Sequence, residues 1–413
     1  MEHDEDAFRQ RHLFGGGFPA LIRRHFAALA GFILIAAACA VAILGYLIMP
    51  DKSPNANDGA VQLGKQPPGA RAIFLKIAKN SAPEKRSLLG VALYGRENPY
   101  LLIPVTSYHI DGLRIQASGY GRTEAQQTYD MREIVTGVSH QPELTTDQAP
   151  ERESPVRVRY LTGIEQDISY GELLDRFEGD HVETRRYLLG TDRAGRDLLS
   201  RLIFGTRISL SIGLAAVAIS LFIGIVAGTL AGYFGRITDT VIVWLISVIW
   251  SVPGIMLVIA ISIALQSRGL WVIFLAVGLT MWVEVARTVR GEMLALREKQ
   301  YVEAARAFGF SDFRIVFRHI MPNMAGTLVV LATANFASAI LLEAGLSFLG
   351  LGVQPPTPSW GMMVYEGFQA MGTKNSWHLI LFPALAICIM VLAFNLLGSG
   401  LRDATDPNTK GKY

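Results

Sequence analysis

The side chains that could do chemistry are scattered along this chain of 413 residues. Its two cysteines, Cys39 and Cys388, lie in separate apolar runs and give neither a metal cluster nor a disulfide framework. The polar segment from Pro50 to Arg207 holds no HExxH, GxSxG or paired-cysteine pattern. A phosphate-cradling loop needs a glycine-rich turn followed by Lys and then Ser or Thr. The Gly-Lys pairs are Gly64-Lys65, followed by Gln66, and Gly411-Lys412, followed by Tyr413, and neither fits. The acids Glu284 and Glu343 sit near the ends of apolar runs. They read as interfacial or packing residues before they read as proton relays. No catalytic residue and no metal site is expected, so any uphill work would draw its energy from another chain.

What must position the remaining candidates is a membrane bundle. The chain is 51% hydrophobic and 18% charged, against about 25% charged in soluble domains. A net charge of +3, without a basic cluster interleaved with aromatics, excludes a nucleic-acid partner. A spanning helix needs about 20 apolar residues. Six runs qualify: Phe26 to Met49, Ile208 to Gly235, Thr240 to Ser267, Gly269 to Ala286 (the shortest), Met321 to Leu342 and Asn375 to Leu401. The first, preceded by residues 1–25, reads as an uncleaved anchor, being longer than a signal peptide's apolar core. With the N-terminus inside, fifteen Lys and Arg fall in inner segments, against Arg268 and Lys374 in the short outer loops. Both termini are therefore expected to be cytoplasmic.

That orientation puts residues 50–187 outside. Residues 51–69 read as a Pro/Gly/Asn linker. Ser87 to Tyr94, Tyr100 to Tyr108 and Leu113 to Ser118 read as strands, and Tyr170 to Phe177 as a short helix. A small α+β domain is expected, serving either to stabilise the outer face or to dock an extracytoplasmic partner.

The inner loop 297–322 is more specific. Tyr301, Ala304, Ala305 and Phe308 recur at helical spacing. Gly309 can end that helix in a left-handed cap. Ser311 or Asp312 can start a second one with Phe313, Val316, Phe317 and Ile320 on its face, and Pro322 opens the fifth run. Ala304, Ala305 and Ala307 let the backbone approach a partner's groove closely while Phe308 anchors it. A helix lying on lipid would favour a larger apolar face with Lys/Arg flanks. Before the second run, Gly190 and Gly195 permit tight turns, and Asp192, Arg196 and Asp197 can pair or cap the next helix. This is either a structural elbow or a contact for a binding protein or substrate.

Glu303-Ala304-Ala305, three residues, then Gly309, with Pro322 thirteen positions later, resembles the EAA loop of ABC-importer permeases. Where that pattern has an apolar residue three before the proline and Leu one before it, this chain has His319 and Met321. Leu189–Arg201, Gly205–Leu210, Gly232–Gly235, Leu346–Gly352, Pro358–Gly361, Asn395–Gly398 and Leu401–Ala404 through Asp406-Pro407 are similar to the dipeptide/oligopeptide/nickel branch, in its second-permease ("C"-type) subunit. The resemblance is loose over 21–49, dense over 187–409, and does not extend to the outer insert.

It implies an all-α polytopic fold of six transmembrane helices, the type I permease fold, with an inserted extracytoplasmic α+β domain and a permease core over 188–409. Glu303, Ala304, Ala305, Phe308, Gly309 and Pro322 would couple to an ATP-binding subunit. The implied partners are a homologous permease, two ATP-binding subunits that carry ATP and Mg, an extracytoplasmic solute-binding protein and the lipid bilayer. The implied setting is the bacterial inner membrane and the implied cargo a peptide, or alternatively nickel or another small solute. Asn335, Ser338 and Glu343 are candidates for the pathway, with helix packing as their other reading. Gly213, Gly224, Gly228, Gly254, Ala332 and Ala334 should allow close helix contact, and Pro253 should kink the third span. Rival classes fare less well. A receptor would need a cytoplasmic output domain, which the short stretches outside the first and last runs do not suggest. A membrane enzyme would need convergent catalytic residues, and a secondary carrier ionisable ones inside its spans.

Overall fold

A computed structural model describes residues 26–79, 86–120, 126–138, 151–160, 163–267 and 269–405. The tail 1–25, Arg268 and the stretch with Asp406 and Pro407 lie outside them. The chain forms two units, one of Met1–Ala42, Gly205–Tyr365 and Pro383–Tyr413, the other of Ile43–Phe204 and Glu366–Phe382. Helix α1 (Phe26–Ile48) is uncharged throughout and long enough to cross hydrocarbon.

The second unit follows with β1 (Ala70–Ala78), α2 (Leu88–Tyr94), β2 (Tyr100–Asp111), β3 (Arg114–Gly119), β4 (Gln126–Asp130), α3 (Met131–Thr136), β5 (Pro155–Arg159), β6 (Glu165–Ser169), α4 (Tyr170–Arg176) and β7 (Val182–Tyr187). Five strands make an antiparallel sheet in the order β4-β3-β2-β1-β7, and β5 and β6 form a separate hairpin. Ile73 sits opposite both Val105 and Thr184, which fixes β1 between β2 and β7. One apolar core gathers Leu75, Val105, Ile115, Met131, Ile134, Val158, Leu173 and Phe177.

Two expectations change here. Residues 87–94, read as a strand, are a helix: the Ser87 hydroxyl accepts the Gly90 N–H, and Gly95 at φ 73° closes the far end. Caps at both ends override an apolar run too short to declare its own period. Residues 51–69 are no free linker, since Ala56 and Leu63 are buried. The Asp51 carboxylate accepts the N–H groups of Ser53 (2.9 Å) and Asp58 (3.1 Å), and Ser53 Oγ accepts those of Asn57 and Asp58.

Burial raises the Asp51 pKa to about 6, against 3.8 for an ordinary aspartate. Between those values the folded chain keeps a proton that the unfolded chain has released. Stability therefore falls as pH rises through that window, by on the order of 2–3 kcal/mol. Thermal melts in detergent across pH 4–7 should show Asp51→Asn losing this slope relative to the parent. At the acid end the variant should melt lower, because one accepted hydrogen bond is lost, and near pH 7, where the parent carries the buried charge, that gap should close or reverse.

The chain continues with α5 (Leu198–Phe234), α6 (Arg236–Trp250), α7 (Gly254–Ala264), α8 (Leu270–Leu296), α9 (Gln300–Ala307), α10 (Asp312–Ile315), α11 (Met321–Phe348), α12 (Trp360–Gln369) and α13 (Trp377–Thr405). Among the described residues five helical stretches can cross a membrane: α1, α5, α8, Asp312–Phe348 and Trp377–Asp403. The α6–α7 pair bends by 91°, and counted as one broken span it makes six. Pro253 does not kink a continuous helix as expected. It stands at the N-cap of α7, so the span breaks outright.

Glycines set the helix spacing. A Cβ on Gly224, Gly228 or Gly232 of α5 would meet Val285, Val289 or Met293 of α8 at 2.5–2.7 Å. These two ladders of four-residue period lie backbone to side chain. A Cβ on Gly213 would strike Phe336 at 2.7 Å, and one on Gly31 of α1 would strike Ala393 O of α13 at 2.4 Å. Gly254 has only ordinary contact with Thr280, and Ala334 is exposed, so neither packs closely against another helix of this chain. Arg290 of α8 holds Asp239 of α6 with two hydrogen bonds, 2.5 and 2.7 Å.

Candidate functional site

The loop between α8 and α11 has two faces. Lys299 precedes α9, Gly309 lies at φ 75° where only glycine is at ease, and Ser311 starts α10. A wider i→i+5 turn over Val316–Ile320 then delivers Pro322 to the first turn of α11. The inward side is Val302, Ala305, Ile315, Val316 and Ile320, all buried in one cluster with Tyr233 of α5, Val285, Val289 and Met293 of α8, and Met324 of α11. The Tyr233 hydroxyl donates to Asp312 Oδ1 at 2.6 Å, and the Arg306 guanidinium lies over the Tyr233 ring at 5.4 Å. Arg297 donates to the Gly232 carbonyl at the end of α5, at 2.9 Å. The loop is thus fastened to the ends of three long helices.

Its outward side is aromatic. Phe308 is 79% exposed and Phe313 72%, with Tyr301, Phe310 and Phe317 also exposed. Phe313 and Phe317 lie 4.3 Å apart between ring centroids, and Phe310 stacks on His319. Glu303, Ala304, Gly309 and Pro322 share this outer side. Two expected groupings are corrected. Ala305 turns inward beside Val302 rather than outward with Tyr301, Ala304 and Phe308, because i and i+3 share a helix face. In the second segment the wider turn brings Ile315, Val316 and Ile320 together inside, leaving Phe313 and Phe317 out. Tyr233, which anchors the loop to α5, lies 79 positions before Asp312, and no sequence signal pairs the two.

The Gly190–Asp197 motif is turned inward. Asp192 Oδ1 accepts the N–H groups of Ala194 and Arg196. Its Oδ2 holds Arg196 Nε at 2.6 Å and faces Arg201 Nε at 3.3 Å. Glu366 closes the square, accepting from Arg196 Nη2 at 3.2 Å and Arg201 Nη2 at 3.0 Å. Asp197 caps α5 through the Ser200 N–H and hydroxyl, while Ser200 Oγ accepts the Asp51 N–H. Burial pushes the Asp197 carboxyl above the usual carboxylate range. A Cβ on Gly190 would meet Gln66 O at 2.4 Å, and one on Gly195 would meet Ala60 O at 1.7 Å. Glu366 and His378, which packs on Gly190, lie some 165–190 positions away and were not legible as partners.

The three pathway candidates on α11 do not converge. Asn335 and Glu343 are buried, whereas Ser338 is exposed on the same side as Ala334 and Leu341. Glu343 Oε1 accepts from Ser347 Oγ and Ser359 Oγ, both at 2.7 Å. Ser359 also caps α12 by accepting the Met362 N–H, so the carboxylate pins the start of α12 to α11. Glu284 of α8 is exposed.

The family described as binding-protein-dependent transport system inner membrane component matches residues 224–411, which include the two-faced loop and α11. The chain is 44% identical over 222 residues to the glutathione transport system permease protein GsiD of Pectobacterium atrosepticum, covering 54% of this chain and 73% of that one. It is 40% identical over 231 residues to the oligopeptide transport system permease protein OppC of Bacillus subtilis, covering 56% and 75%. GsiD of Escherichia coli O6:K15:H31 is 44% identical over 226 residues, 55% of this chain and 74% of that one. Among solved structures, a chain of the inward-facing MetNI methionine ABC transporter is similar over 50% of this chain and 96% of its own, at 19% identity and a TM-score of 0.41. On the identity to these permeases over about three quarters of their length, the chain belongs to the family of binding-protein-dependent transport system inner-membrane components: it is a multi-pass permease subunit of an ABC importer, a kind of subunit that leaves ATP hydrolysis to a separate chain.

Proposed function

We propose that this permease carries peptides across the bacterial inner membrane, with both termini cytoplasmic and residues 50–187 outside. It pairs with a homologous permease and takes its cargo from an extracytoplasmic solute-binding protein. Two ATP-binding subunits, which carry the ATP and Mg, sit against its inner face. The peptide cargo is supported by the glutathione and oligopeptide systems whose permeases it is similar to.

The observation that carries this reading is the two-faced loop. Val302, Ala305, Ile315, Val316 and Ile320 fasten it to α5, α8 and α11, while Phe308, Phe313 and Phe317 stand exposed on the other side. Such an aromatic cluster suits a cleft in a partner, with Ala304 allowing close approach and Glu303 and Gly309 completing the contact. Closing of the ATP-binding subunits would then swing residues 299–320 as one body and tilt the helices that carry Pro322 and Tyr233. Ser338, exposed on α11, is the pathway candidate that this arrangement favours, whereas Asn335 and Glu343 are buried and serve packing.

Co-expression with the permease, ATP-binding and solute-binding genes of the same organism tests the assignment. A second permease and a nucleotide-hydrolysing chain should co-elute with this one, and labelled di- or oligopeptide should enter vesicles only with ATP. Nickel uptake in place of peptide uptake would overturn the cargo, and uptake by this chain alone would overturn the whole reading. Tyr233→Phe is expected to keep assembly and ATP hydrolysis while lowering uptake several-fold. It removes a hydrogen bond to a carboxylate, a loss of about 1.5–3 kcal/mol, from the joint between loop and α5. Uptake and hydrolysis measured on the same preparation check it.

A further inference from the structure

Helix α2 is seven residues long, Leu88–Tyr94, and none of its side chains is buried, Val91 and Ala92 being half-covered and the leucines exposed. Leu88 is 83% exposed and Leu89 77%, and Leu93 and Tyr94 are exposed as well. So short a helix gains little from its own hydrogen bonds, and helices in water below about 12–15 residues are marginal even with good formers. Within a polar domain such a face is a cost unless another phase covers it.

What lies beside it names that phase. Gly95, which ends α2, packs so closely on the last turn of α1 that a Cβ there would meet Tyr46 Cε1 and Lys52 O, each at 2.7 Å. The Arg96 N–H donates to the Lys52 carbonyl at 2.7 Å, and the Asn55 N–H to the Tyr46 hydroxyl. The end of α2 is therefore tied to the point where α1 leaves hydrocarbon, next to the exposed Ile43, Leu44, Leu47 and Ile48 of that span. Exposed cations bracket the segment: Arg86 before it, whose guanidinium donates to the Gly95 carbonyl at 3.2 Å, and Lys52 and Arg96 beside its end. Leucines on a short helix, a tyrosine at its end and flanking Arg and Lys are the chemistry of an interfacial anchor.

We infer that α2 lies in the bilayer interface, its leucines among the acyl chains next to α1 and Arg86, Lys52 and Arg96 at the level of the anionic headgroups. It thereby holds the β-sheet unit down on the membrane from which that unit emerges. This assigns a membrane contact to a segment outside every spanning helix, and it holds on whichever side of the membrane the unit stands.

Nitroxide labels test it on the full chain reconstituted in phosphatidylethanolamine–phosphatidylglycerol vesicles. Leu88→Cys and Leu89→Cys would be compared with Arg157→Cys, at an exposed position on β5, all with Cys39 and Cys388 replaced by Ser. The labels at 88 and 89 should collide several-fold more with oxygen, and several-fold less with a water-soluble nickel chelate, than the label at 157. Chelate access equal to that at 157 would overturn the inference. So would exclusion of both reagents, which means a protein covers the helix, a second copy revealing itself by spin–spin broadening. If the labelled variants do not insert, the unmodified chain answers through vesicles containing a diazirine-tailed phosphatidylglycerol. Adducts within 88–94 support the interfacial helix, and adducts on α1 with none there contradict it.

Discussion

Replacing Phe308 with Asp is expected to stop ATP-driven uptake almost completely while leaving the permease folded and in the membrane. Phe308 touches little of its own chain, being 79% exposed just before Gly309, so its loss leaves the Val302–Ile320 core intact. A buried aromatic anchor in a protein interface contributes about 2–4 kcal/mol, equivalent to a roughly 30- to 700-fold weaker association. A carboxylate forced into an apolar cleft adds a desolvation penalty to that loss. The chain should purify with an unchanged melting temperature while retaining far less of the ATP-binding subunit. Phe308→Leu should recover part of both association and uptake. The same loss from a variant that melts early would mean that Phe308 has a structural role instead.

Gly195→Ala is expected to have the largest effect on folding. The residue sits at φ 76°, and the new Cβ would lie 1.7 Å from the Ala60 carbonyl oxygen, a backbone atom that no rotamer change can move. Left-handed backbone costs an alanine roughly 1–2 kcal/mol, and overpacking adds about 1–3 kcal/mol more. The displaced segment is also the one that aligns Asp192, Arg196 and Asp197 with Arg201, Glu366 and Ser200. Folded protein recovered by size exclusion should fall several-fold. Gly179→Ala, where a Cβ meets open space, should be neutral in the same assay.

The long elements were legible in the sequence because the bilayer imposes a length and forbids charge. The runs that became α1, α5, α8, α11 and α13 announce themselves in those terms. Periodicity failed where elements are short. Over Asp312–Ile320 a four-residue helix runs into an i→i+5 turn, so a 3.6-residue template assigns Phe313 and Phe317 to the wrong side. Ala305 was misgrouped for a related reason: one turn of helix offers two overlapping faces, and the greater burial of Val302 decides between them. Ser87 and Gly95 held the signal that 87–94 is a helix, but an apolar octet reads as a strand when only its interior is weighed. Tyr233 with Asp312, and Arg201 with Glu366, are meetings over long sequence separations that a single sequence does not encode visibly.

In the proposed importer the aromatic face of the loop seats in an ATP-binding subunit on the cytoplasmic side. Phe308→Cys, with Cys39 and Cys388 replaced by Ser, can be labelled with a membrane-impermeant maleimide. Inside-out vesicles stripped of their ATP-binding subunits should label rapidly at this position, and restoring those subunits should suppress labelling at least ten-fold. Labelling from the outside of intact cells, or a rate unchanged when the ATP-binding subunits return, would contradict the account.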